Sequence, residues 1–168
     1  MDHVFRLAQM QDYLAVVEIY KQAISDMCSR GIMQWDEIYP SEECLKADIE
    51  ARQMYLLVCG GDVVSAVVIS GEQDEEYKNG CWKYSEGNIA ALHRLCVHPA
   101  HQRKGYGRET VLFAEQLMKR MGYTAVRLDA FSQSPFALKL YEGLGYERAG
   151  EVTFRKGKFF LYEKPLRD

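Results

Sequence analysis

The sequence predicts a single domain of mixed α and β structure, residues 1–168, and three observations carry that expectation. Runs with strand character alternate with runs of helical periodicity along the chain. Two β-branched runs, "YLLVC" and "VVSAVVIS", are joined across Gly60-Gly61, a strong hairpin signal. No repeat, low-complexity tract or linker interrupts the 168 residues, and 48% hydrophobic content is ample for one core.

The elements follow in order. "HVFRLA" reads as a short strand, after which Asp12 is placed to cap a helix with Val16, Ile19, Tyr20, Ala23 and Met27 on one face, ending near Gly31. The connection "GIMQWDEIYP" is unusually aromatic and acidic. Ser41 then caps a second short helix that turns Leu45 and Ile49 inward. After the hairpin, "GEQDEEYKNGCWKYSEG" is polar and glycine-bounded, which predicts an exposed loop with Glu72 to Glu76 as a solvated turn. "NIAALHRLCV" is the next strand and ends at His98-Pro99, where proline lacks the amide to continue a ladder. From Gly107 a helix carries Val111, Ala114, Met118 and Met121 on one stripe, with Gly122 placed to stop it. "TAVRLDA" is a strand. Ser134-Pro135 supplies an N-cap and an N1 proline for a helix through Leu140 and Tyr141 that Gly143 can end. "YERAGEV" and "KFFLYEK" are two late strands.

Charge and cysteine usage narrow the function classes. A formal net charge of −3 and a pI near 5.8 give no global attraction to nucleic acid or to an anionic membrane, so any anion site is local. The five cysteines form an odd set without CxxC spacing, which argues against a disulfide framework and against a zinc site, and suits a reducing cytoplasm. "MDHVFRLAQMQDY" is broken by charges before an apolar run reaches signal-peptide length, and no stretch approaches the roughly 20 apolar residues of a membrane span. A soluble, cytoplasmic protein is expected, with neither membrane nor nucleic acid as a partner.

The stretch "HPAHQRKGYGRE" concentrates Arg103, Lys104 and Arg108 around Gly105 and Gly107, between a strand and a helix. Glycines let backbone N–H groups approach an anion without Cβ obstruction, and a helix start aims its positive end at the same place. That is a recipe for binding phosphate. Neither GxGxxG nor GxxxxGK[ST] is present, so a dinucleotide fold or a P-loop nucleotidase is disfavoured.

Gln102-Arg103-Lys104-Gly105-Tyr106-Gly107 resembles the [RQ]xxGx[GA] pyrophosphate loop of the GCN5-related N-acetyltransferase (GNAT) superfamily, in particular its small single-domain bacterial members. "LHRLCVHP" looks like that family's fourth strand, and "SPFALKLYEGLGY" is similar to its NxxAxxLYxxxGF segment. The resemblance implies a mostly antiparallel sheet of six to seven strands, splayed between strands 4 and 5 and flanked by about four helices. It implies an acetyl-CoA-dependent N-acetyltransferase without a metal, acting on a small-molecule or peptide amine. A CoA-binding sensor that has lost its chemistry is the alternative. Dimers are common in the family; the sequence leaves the oligomeric state open.

Carried over by position, backbone groups of Leu95, Cys96 and Val97 would pair with the pantetheine arm, and Gln102 through Arg108 would cradle the pyrophosphate. A bulge in this strand would aim an N–H at the thioester oxygen. Tyr141 takes the place of the tyrosine that reaches the coenzyme sulfur, and Ser134 stands where the family has asparagine, still able to cap its helix. Some relatives place a glutamate base in the fourth strand; that position is Ala91 here. His93 lies two residues before Leu95, hence on the same strand face, and is one base candidate; Glu86, Glu37 and Asp36 are others. Trp35, Glu37 and Tyr39 would line the acceptor pocket, although Trp35 and Tyr39 equally suit a staple between the first two helices. Cys96 on a buried strand reads as a small hydrophobe.

Overall fold

The structure, a computed structural model, describes residues 2–167. The strands are β1 His3–Leu7, β2 Met54–Cys59, β3 Asp62–Ser70, β4 Ile89–Val97, β5 Ala125–Phe131, β6 Glu147–Phe154 and β7 Gly157–Pro165. The helices among the described residues are α1 Tyr13–Ser29, α2 Glu42–Glu50, α3 Tyr106–Arg120 and α4 Pro135–Gly143, with 3-10 turns at Met10–Asp12, Glu75–Asn79 and Pro99–His101. One sheet has the order β1-β2-β3-β4-β5-β7-β6, mostly antiparallel, with β4 and β5 parallel. The chain divides into two compact units, one running through Ile69 and taking in Arg94–Phe113, the other holding Ser70–His93 and the chain from Ala114 onward.

In the first unit, Gly60 and Gly61 both take positive φ, 58° and 88°, and join Cys59 to Asp62 as a two-residue turn. Two left-handed residues in succession match the right-handed twist of a hairpin, and glycine adopts them without a Cβ penalty. Val16, Ile19, Tyr20 and Ala23 of α1 are buried together with Leu45 and Ile49 of α2 against Met54, Leu56, Ala66 and Val68. Each such fully buried aliphatic side chain contributes roughly 1.5–3 kcal/mol. Met27, at the far end of the same face, is only partly buried. Ser41 caps α2, its Oγ accepting from the Cys44 N–H at 3.1 Å. Farther along, the Thr110 hydroxyl donates to the Tyr106 carbonyl at 2.6 Å, which leaves the Ser65 hydroxyl to donate to Thr110 Oγ1 at 2.6 Å. Both side chains are fully buried.

Asp12 departs from its expected role. Its side chain makes no cap bond to α1; instead its oxygens accept from both terminal nitrogens of Arg6, at 2.9 and 3.0 Å, and from the Gln9 N–H at 2.8 Å. A fork that neutralises the carboxylate outcompetes a single amide. The Arg6 hydrogen bond, chiefly, holds the Asp12 carboxyl below the usual carboxylate range, against the opposing effect of burial. A depressed folded pKa contributes stability that is present above the unfolded pKa and is lost as pH falls through the folded value. Asp12→Asn is therefore expected to lower stability at neutral pH by on the order of 1 kcal/mol, discounted for the solvent exposure of Arg6. Thermal melts across about pH 3 to 7 should also show a shallower acid limb in the variant; parallel curves for the two proteins would contradict this.

In the second unit, the parallel β4–β5 ladder is short, running from Ile89↔Ala125 to Ala91↔Arg127, whereas β5 pairs with β7 over seven residues. Three stops and starts differ from expectation by small, explicable shifts. α3 begins at Tyr106 and closes at Arg120 before Gly122 at φ 91°, so Met121 lies past the helix and is half exposed, while Ala114 and Met118 are buried. α4 incorporates Gly143 and is stopped instead by Gly145 at φ 92°, with the Tyr146 N–H returning to the Tyr141 carbonyl at 3.0 Å.

The segment 71–87 is more than an exposed loop. Tyr77 is 1% exposed, and its hydroxyl donates to Asp129 at 2.6 Å. The Trp82 indole N–H caps the Tyr77 carbonyl at 2.7 Å. Buried Glu163 accepts from the Lys83 and Tyr84 N–H groups at 2.8 and 3.0 Å. Polar composition concealed aromatic and backbone anchors that only the folded sheet supplies.

Candidate active site

Strand β4 gives way to a turn and then to α3, and the cationic stretch lies in that turn. Arg103 at φ 64° and Gly105 at φ 84° are both left-handed. A Cβ built on Gly105 would meet nothing within 4 Å, so the space in front of the helix is open. Arg103, Lys104 and Arg108 are exposed and form no ion pair among the described residues. By contrast Glu109, the acidic residue of the first helical turn, is engaged by His3 at 2.6 Å. The helix start thus presents cations and backbone N–H groups with its nearby carboxylate already paired.

The remaining residues of the turn hold it in place. Gln102 donates to the Val97 carbonyl at 3.4 Å and accepts from Arg30 at 3.5 Å. The Tyr106 ring packs edge-on against His3, at 5.6 Å between centroids, and beside Leu57, Cys59 and Val64. Gly107 is buried. The structure brings Gln102 to Arg108 together around the head of α3.

Within β4, Leu95 and Val97 are half-buried and Cys96 is buried, with its Sγ 3.7 Å from the Ile19 carbonyl. Burial pushes the Cys96 thiol well above its ordinary pKa, consistent with a small hydrophobe. Arg94 breaks the strand's regularity with φ 52°, a conformation that costs a non-glycine residue on the order of 1–3 kcal/mol and persists only where its surroundings over-determine it. Strict alternation therefore fails at Arg94, and His93 and Leu95 do not share a face by period-2 counting.

Arg94 was not anticipated as a site residue. Its Nε and Nη2 donate to the two Asp48 oxygens at 2.9 and 2.7 Å, and Nη1 donates to the Tyr39 hydroxyl at 2.8 Å. Its own carbonyl accepts from the Tyr20 hydroxyl at 2.5 Å. The two charged side chains are only 14% and 10% exposed. Burial disfavours the Arg94 charge, but Tyr39 and Asp48 more than offset it, and the guanidinium pKa is raised. Nothing in sequence spacing links position 94 to position 48; the one available signal was a charged residue inside an otherwise apolar strand.

In the second unit, Ser134 caps α4 as expected, its Oγ accepting from the Ala137 N–H at 3.4 Å. Tyr141 on that helix is buried, its ring edge-on to Tyr146 at 5.6 Å and tilted to Tyr162 at 6.3 Å. The hydroxyls of Tyr77, Tyr146 and Tyr162 are hydrogen-bonded to Asp129, Glu115 and Glu142. The Tyr141 hydroxyl has no hydrogen-bond partner among the described residues. Burial first, and Asp129 second, raise its pKa, so the phenol is a proton-bearing donor at neutral pH. His93 Nε2 lies 3.1 Å from the Glu72 carbonyl, which can only accept; Nε2 then carries the proton and Nδ1 is left as an acceptor in the neutral ring.

The acceptor-side residues separate. Trp35 is 7% exposed in the core, tilted on Tyr20 at 5.7 Å, as a staple would be. Tyr39 is exposed on one side and engaged by Arg94. Asp36 Oδ1 accepts from the Ile38 and Tyr39 N–H groups at 3.0 and 3.1 Å, the work of a turn residue. Glu37 lines a cleft of about 420 Å³ whose other walls include Val17, Ile24, Pro40, Glu42 and Glu43. Among the described residues no group of three or more His, Cys, Asp or Glu is placed to hold a metal, and no helix is long and apolar enough to cross a membrane.

Comparison with known proteins gives concordant matches. The model of the acetyltransferase (GNAT) family matches residues 17–146. An L-methionine sulfoximine/L-methionine sulfone acetyltransferase of Salmonella typhimurium is 27% identical over 142 residues, covering 84% of this chain and 78% of that protein. In fold, the chain resembles a GNAT-family acetyltransferase from Streptococcus agalactiae with a TM-score of 0.87 at 17% identity, covering 99% of this chain and 96% of that one. The PaiA N-acetyltransferase of Thermoplasma acidophilum, solved in complex with coenzyme A, superposes with a TM-score of 0.74 at 19% identity, covering 98% and 99%.

Proposed function

The chain belongs to the acetyltransferase (GNAT) family and is an acetyl-CoA-dependent N-acetyltransferase; from that premise we propose that it acetylates a primary amine by direct attack of the amine on the thioester. The observation that carries the donor assignment is the head of α3, where left-handed Arg103 and Gly105 leave open space before a helix start flanked by three cations that form no ion pair among the described residues. Pyrophosphate is the group that such a cradle suits.

Each proton and charge then has a named handler. His93 Nδ1, with Nε2 committed to Glu72, accepts the proton that the ammonium of the acceptor must lose. The N–H following the left-handed Arg94 stabilises the negative charge that develops on the thioester oxygen as the amine nitrogen bonds to the carbonyl carbon. As the carbon–sulfur bond breaks, Tyr141 gives its phenolic proton to the departing thiolate, whose ordinary pKa is about 8.5, and is reprotonated by the second proton that the attacking nitrogen sheds as it becomes an amide. Backbone groups of Leu95, Cys96 and Val97 hold the pantetheine arm, and Ser134 shapes the start of the helix that carries Tyr141. The site acts in the cytoplasm, where acetyl-CoA is available.

For the acceptor, the carboxylate of Glu37 beside apolar Val17, Ile24 and Pro40 favours a cationic amine with an apolar body, and the Salmonella relative makes amino acids and their analogues the first panel to test. Thiol release from acetyl-CoA should be measured across amino acids, aminoglycosides, polyamines and peptides. Glu37→Gln is expected to raise the KM for the preferred amine about tenfold, the scale of one weakened charge contact, while the KM for acetyl-CoA stays put. Equal amine KM values in the two proteins would remove Glu37 from acceptor binding, and silence across the whole panel would count against amine transfer.

A further inference from the structure

Arg94 is fixed at both ends, and the two anchors come from different helices. Its carbonyl is held by the buried Tyr20 hydroxyl on α1, and its guanidinium grips Asp48 on α2 through two parallel hydrogen bonds while donating a third to Tyr39. In a trans peptide the C=O and the next N–H point in opposite directions. Pinning the Arg94 carbonyl toward Tyr20 therefore dictates the direction of the Leu95 N–H, the group that lies at the left-handed break of the strand. A regular strand needs no such device, and a left-handed non-glycine residue inside a strand is held there by its surroundings.

We propose that Tyr20, Asp48 and Arg94 form a clamp that positions the Leu95 amide toward the acetyl carbonyl of the donor, and that Tyr39 ties this clamp to the acceptor-side segment. The clamp touches no reacting atom; these are positioning residues. The inference rests on the acetyl-CoA assignment above. A strand that relaxed to extended geometry at residue 94 would rotate the amide away from the developing charge while leaving the phosphate cradle at the head of α3 intact.

The test uses the full chain labelled with ¹⁵N, and needs no acceptor. In the wild-type protein the Leu95 amide resonance is expected to move more on saturation with acetyl-CoA than with desacetyl-CoA, because only the former presents the carbonyl. Tyr20→Phe, which removes one oxygen from a packed ring, and Arg94→Lys, which keeps the charge but not the fork, are both expected to abolish that difference. Their Kd for acetyl-CoA should stay within about twofold of wild type, and with an amine substrate their kcat should fall about 10- to 100-fold, part of the 10²–10³ that one oxyanion donor is worth. A buried structural pair alone would lower the melting temperature without erasing the acetyl-dependent shift. Retention of that shift in both variants overturns the clamp. Failure of acetyl-CoA to bind the wild-type protein overturns the donor assignment itself, and is read separately from the variants.

Discussion

Gly105→Glu is expected to weaken acetyl-CoA binding by at least about 100-fold, roughly 2.7 kcal/mol, as read by calorimetry. Two effects add. Gly105 sits at φ 84°, so any side chain there carries left-handed strain, and a carboxylate would project into open space that the pyrophosphate is proposed to fill, between Arg103, Lys104 and Arg108. The Cβ itself meets no protein atom, which makes Gly105→Ala the informative companion. Alanine carries the strain without the charge and should lose several-fold less affinity than glutamate. Unchanged binding in the glutamate variant would remove the phosphates from this turn.

Tyr141→Phe is expected to lower turnover about 100-fold, at the lower end of the 10²–10⁴ typical of general-acid help, because a hydrogen bond from water still serves the departing thiolate. The coenzyme Kd and the melting temperature should barely move. That combination follows from the packing: the ring contacts with Tyr146 and Tyr162 survive, and the hydroxyl being removed bonds to no described protein group. Had it been bonded as Tyr146 is to Glu115, its loss would take a hydrogen bond from a buried carboxylate and show as instability. Wild-type turnover in the phenylalanine variant would strike Tyr141 from the mechanism.

What could be read from the sequence were the features written locally in the chain. The Gly60-Gly61 turn, the Ser41 and Ser134 caps and the strand, glycine turn and helix order around Gly105 each depend on residues a few positions apart. Side-chain partnerships across long separations were hidden. Arg94 and Asp48 are 46 residues apart and carry no spacing signature, and Tyr77, set among charges, is buried because Asp129, 52 residues away, receives its hydroxyl. Asp12 and Asp36 show the converse limit: an aspartate near a turn is legible as a hydrogen-bond acceptor, but whether an amide or a guanidinium claims it is decided by the fold. The same holds for His93, whose relation to Leu95 depended on a regular strand that Arg94 interrupts.

The two buried hydroxyls of Ser65 and Thr110 act as a key in a slot. Both are sealed from solvent, so a roll of α3 that parts them leaves the buried Ser65 hydroxyl without its acceptor, and β3 thereby sets the rotational phase of the helix. Because the amides at the head of α3 point wherever that phase sends them, the aim of the proposed anion cradle is inherited from β3.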